Sequence, residues 1–122
     1  MFILDFNKQH LINLDQVMSI DVNENKIEAR VIKGNDIIGI PLITYNFNKD
    51  VPFTLSGLLC HLMGVISYNY RIGNNNVIDI GVVFDEYVSK KTIPKEINSI
   101  PLNSYPYSRD LNRIIPLNGD NF

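Results

Sequence analysis

Between Asp50 and Arg71 the chain reads VPFTLSGLLCHLMGVISYNY, a stretch without one Asp, Glu, Lys or Arg. A bilayer span needs about 20 mostly apolar residues, so length alone admits a membrane helix. Content argues against one. Pro52, Thr54, Ser56, His61, Ser67 and Asn69 interrupt the run, and His61 would lie near the bilayer centre, where a polar side chain is costly. No basic cluster flanks the segment. The stretch therefore reads as a helix within residues 50–70, held inside folded protein, with Asp50 or Thr54 as its cap.

That helix has two unlike sides. Leu55, Leu58, Leu59, Leu62 and Ile66, extended by Met63 and Val65, make a broad face of large residues suited to the inner side of a sheet. Gly57, Cys60, Gly64 and Ser67 follow at i, i+3, i+7 and i+10 and line up a narrow stripe of small groups. Glycine in a helix interior costs about 1 kcal/mol relative to alanine, so two of them imply close approach by a second element. That element is either the C-terminal segment or the same helix of another subunit. The second choice makes Gly57, Cys60, Gly64 and Ser67 the candidate self-association residues of a homo-oligomer.

Strands surround the helix. FILDF is short and apolar, and LINLDQVMSIDV alternates, with Met18, Ile20 and Val22 on one face and Val17, Ser19 and Asp21 on the other. KIEARVIK places Ile27, Ala29 and Val31 inward. Turn clusters at Asn23-Glu24-Asn25 and Gly34-Asn35-Asp36 separate these runs from IIGIPLITY, where Pro41 demands an edge or a bulge. Short turns between consecutive strands predict an antiparallel meander over residues 1–45. VIDIGVVF predicts a further strand over 77–84, and Pro94, Pro101, Pro106 and Pro116 predict an extended, irregular segment over 93–122 that packs on the domain or on a neighbouring subunit. The expected class is α+β: a meander of about four strands, one central helix, a further strand and a Pro-rich end, in one domain spanning 1–122.

Several chemistries fail on spacing. Cys60 and His61 are adjacent on a helix and diverge by about 100°, and His10 is the only other histidine, so no metal site is expected. GVVFDE imitates the acidic strand of a nucleotide-binding site, but the phosphate loop GxxxxGK[ST] is absent. Asp21–Asn25 opens like a calcium loop, yet Lys26 and Ile32 stand where glycine and glutamate are needed. Glu24-Asn25-Lys26 matches a bare nuclease-type E-x-K, but it sits in a turn rather than on a strand, and its upstream candidate, Asp15, has no metal-site context. Neither a cofactor nor a catalytic residue is assigned. The lone Cys60 excludes an intrachain disulfide and points to a reducing, cytoplasmic setting, and MFILDFNKQH lacks the basic and apolar regions of a secretory signal. A net charge of −2 without a basic stripe argues against nucleic acid as a partner.

One constellation remains. Tyr68, Tyr70 and Arg71 end the helix, and Tyr105, Tyr107, Arg109 and Arg113 lie in the C-terminal segment. Tyrosine and arginine anchor interfaces, and together they also stack a base and clamp a phosphate. The strand-then-helix order carried by LINLDQVMSIDV, GNDIIGIPLITY and the helix after Asp50 resembles small cytoplasmic proteins of low-GC bacteria and phages. That resemblance implies a mobile-element or phage setting and assigns no activity. Three functions follow as expectations. The first is a non-enzymatic protein-interaction or inhibitor module with a protein partner. The second is a binder of a small nucleotide-like anion through the Tyr/Arg set. The third is an enzyme using Asp79, Asp85 and Glu86.

Overall fold

The structure, a computed structural model, describes residues 1–73, 76–90 and 95–102. Strands β3 (Val17–Asn23), β4 (Lys26–Lys33) and β5 (Asp36–Thr44) follow one another in antiparallel register. Two-residue turns join them, with Glu24 at φ 56 and Gly34 at φ 67 supplying the left-handed backbone that such tight turns need. β5 is an edge strand, and Pro41 sits at its irregularity: Ile27 pairs with Ile43 but Glu28 pairs with Pro41, leaving Leu42 as the extra residue. Leu42 turns into the core, and its carbonyl accepts from Phe6 N–H at 2.7 Å, tying this sheet to the start of the chain.

The fourth antiparallel strand is not the N-terminal one. β7 (Ser99–Pro101) pairs with β3, giving the order β5-β4-β3-β7, so the predicted extended segment packs on the domain at its described end. FILDF instead supplies β1 (Phe2–Leu4) of a second sheet, antiparallel to β2 (Leu11–Asn13) and parallel to β6 (Val77–Asp79). That arrangement places Ile3, Ile12 and Ile78 side by side in the core. A further correction concerns β3, where Val17 rather than Met18 is buried beside Ile20, because the register shifts between Val17 and Ser19.

The link between β1 and β2 is built on one carboxylate. Asp5, only 4% exposed, accepts from Gln9 N–H at 2.7 Å and His10 N–H at 3.0 Å, and meets His10 Nδ1 at 3.1 Å. Burial alone would raise its pKa; the His10 and Gln9 amides and the His10 ring outweigh burial and hold the carboxyl below its ordinary value. The loop so fixed presents Lys8 to Asp79, at 2.9 Å.

Helix α1 runs Leu55–Arg71, and Thr54, not Asp50, caps it by accepting from Gly57 N–H at 3.0 Å. Its broad face behaves as its spacing requires: Leu55, Leu58, Leu59, Leu62 and Ile66 are buried, in one core with Ile20, Ile27, Ala29 and Ile100. Among the described residues no helix is long and apolar enough to cross a membrane.

The strand predicted over 77–84 stops at Asp79. Ile80–Val88 is a second helix, α2. Asp79 caps it, accepting from Gly81 N–H at 2.8 Å, and Ile80, Val83 and Tyr87 recur at helical spacing to enter the core. Burial of that stripe overrides the strand preference of Ile80, Val82 and Val83.

Candidate functional site

The small stripe of α1 meets α2 at Gly57, is open among the described residues at Gly64, and ends buried at Ser67. α2 runs antiparallel to α1, so Tyr87 reaches the first turn of α1, while Asp79 and Val82 lie toward Val65 and Asn69. An aromatic cluster fixes α2 there. Phe84 stacks on Phe47 at 5.7 Å and meets Tyr45 and Phe6 edge-on at 4.9 and 5.5 Å. Tyr87 meets Phe53 edge-on at 5.2 Å. Its hydroxyl accepts from Thr54 N–H at 3.1 Å. That hydroxyl occupies the place a Cβ on Gly57 would take, so Gly57 is a glycine because Tyr87 lies against it.

About two turns further along α1, at Gly64, no described residue covers the stripe. Among the described residues, no atom of another part of the fold lies within 4 Å of where a Gly64 Cβ would be. Here a groove of about 620 Å³ runs between the helices, lined by Gly57, Cys60, His61, Gly64, Val65 and Tyr68 of α1 and by Glu86, Tyr87 and Lys90, with Lys95 beside them. Its size is that of a ligand-binding cleft. From Gly57 to Tyr68 it spans about 16 Å at the α-helical rise, or three turns. Tyr68 is 58% exposed on its wall.

The ends of the groove differ in charge. His61 Nε2 meets Glu86 Oε1 at 3.3 Å, so the one acid in the groove faces an imidazole. Lys90 and Lys95 stand exposed beside Cys60, and neither has an ion-pair partner among the described residues. Burial raises the Cys60 thiol above its ordinary pKa; Lys95 and Lys90 act in the opposite direction without overcoming it. Cys60 forms part of the groove wall.

The predicted site residues fall in several places. Tyr68, Cys60 and Gly64 line the groove, and Gly57 closes its end under Tyr87. Ser67 instead is fully buried in the core, its Oγ without a hydrogen-bond partner. Tyr70 packs against the core, where burial and then the Asp15 carboxylate push its hydroxyl above the ordinary value. Arg71 is exposed at the helix end, away from the groove lining. Tyr105, Tyr107, Arg109 and Arg113 lie outside the described residues. Of the three carboxylates, Asp79 is held by Lys8 and by the α2 cap, which lower its pKa, Asp85 is exposed, and Glu86 faces His61. Among the described residues no three or more His, Cys, Asp or Glu group as metal ligands.

Tyr87, Lys90 and Lys95 were not legible as site residues. Reading 77–84 as a strand hid the helix that carries Glu86 and Tyr87 and that Lys90 follows. The signal was present in Asp79 as a cap and in Ile80, Val83, Phe84 and Tyr87 at i, i+3, i+4 and i+7. Set against known protein families, curated proteins and solved structures, the chain matches none.

Proposed function

We propose that this chain is a non-enzymatic interaction module that seats a helical segment of a partner protein in the groove between α1 and α2. The observation that carries the reading is Gly64. Its helix position costs about 1 kcal/mol relative to alanine, and no described residue needs the space. The cost is explained if the space serves a partner, because a missing Cβ lets a third helix approach α1 closely. Tyr68 is placed to anchor such a contact, as exposed tyrosines do at interfaces.

The test is a titration of the 15N-labelled protein with a short, neutral amphipathic helix of leucine and glutamine. Amide shifts are expected at Gly57–Tyr68 and Glu86–Lys90, the groove walls. Gly64→Trp fills the groove without touching the core and is expected to remove the response while leaving the unfolding midpoint intact. Shifts centred elsewhere, or a response that survives Gly64→Trp, contradict the reading.

A further inference from the structure

The groove is asymmetric in charge, and the asymmetry specifies more than shape does. Lys90 follows α2, and Lys95 is placed by the hydrogen bond from Ile97 N–H to the Ser56 carbonyl, at 3.0 Å. Both ammonium groups therefore stand at the end of the groove where α1 begins. The nearby carboxylates are already engaged: Glu86 on His61, and Glu96 accepting from the Thr54 hydroxyl. Two cations thus remain without an ion-pair partner among the described residues, beside an apolar floor.

We infer that the segment seated in this groove is an acidic amphipathic helix, with apolar residues over Gly64 and Val65 and carboxylates paired with Lys90 and Lys95. The inference rests on the groove-docking reading and adds the partner's charge. Exposed ion pairs are individually weak, and two of them together amount to about a tenfold preference at low ionic strength. Salt weakens that preference, because both lysines are exposed.

The experiment compares the leucine–glutamine helix with leucine–glutamate and leucine–lysine counterparts on the full chain. The glutamate peptide is expected to bind about tenfold more tightly than the glutamine peptide. In the double variant Lys90→Glu/Lys95→Glu the order is expected to invert, with the lysine peptide preferred. Both positions are exposed, so the variant keeps the fold. Equal binding of glutamate and glutamine peptides overturns the charge assignment and leaves groove docking standing. Failure of all three peptides to perturb the groove overturns both. Free glutamate producing the same shifts at the same concentrations as its peptide also overturns the inference, in favour of a small-anion site.

Discussion

Gly57→Ala is expected to destabilise the fold by about 2–3 kcal/mol, the range for forcing extra volume into a packed site, even though alanine is the better helix former. The added Cβ would meet the Tyr87 hydroxyl and lie 2.8 Å from Cζ, and Tyr87 has nowhere to go. The ring is buried among Phe47, Phe53 and the core, and its hydroxyl holds Thr54 N–H. Relief therefore requires α2 to part from α1. Tyr87→Phe removes the closest atom and also leaves Thr54 N–H unpaired, so alone it costs about 1–2 kcal/mol. Combined, the two substitutions are expected to cost less than their sum, by about 1 kcal/mol, since removing the Tyr87 hydroxyl relieves part of the clash that the new methyl creates. Chemical denaturation of the four proteins of that cycle supplies the numbers; a neutral Gly57→Ala would mean that the helices do not meet at this point.

Asp5→Ala is expected to cost about 2–3 kcal/mol at neutral pH. The buried carboxylate answers two amides and an imidazole, and hydrogen bonds to a charged group contribute more than neutral ones. The damage reaches beyond the turn, because this loop carries Lys8 to Asp79 at the start of α2. Linkage gives the pH dependence. A carboxyl whose folded pKa lies below its unfolded value contributes stability that is fully present above the ordinary value of 3.8 and is lost as pH falls through the folded pKa. Wild type and Asp5→Ala are therefore expected to converge in stability as acid is added. Asp79, shifted the same way, leaves a smaller acid dependence in the variant. Parallel acid curves for the two proteins would remove Asp5 from this role.

What was legible in the sequence follows the range of each physical signal. Local patterns spoke clearly: the β3–β4–β5 strands and their turns, Pro41 at a bulged edge, and the leucine face of α1 all follow from period and turn chemistry. Pairing between distant segments has no local signature. β1 therefore passed as part of the meander although it pairs in parallel with β6, 75 residues later at Phe2↔Val77. α2 was misread because Ile80, Val82 and Val83 favour strands in isolation, and only the cap at Asp79 and the aromatic cluster around Phe84 and Tyr87 decide otherwise. The site was half legible. Spacing found the stripe of Gly57, Cys60 and Gly64; the wall opposite it belongs to the helix taken for a strand.

The central claim is that α1 is covered at Gly57 and open at Gly64. The unfolding free energy of Gly64→Ala relative to wild type tests it most directly. With no described residue near the new methyl group, the variant is expected to be more stable by about 0.5–1 kcal/mol, the ordinary helix gain. A loss of stability of similar size would show that the groove is already filled by this chain, and no docking site would be left.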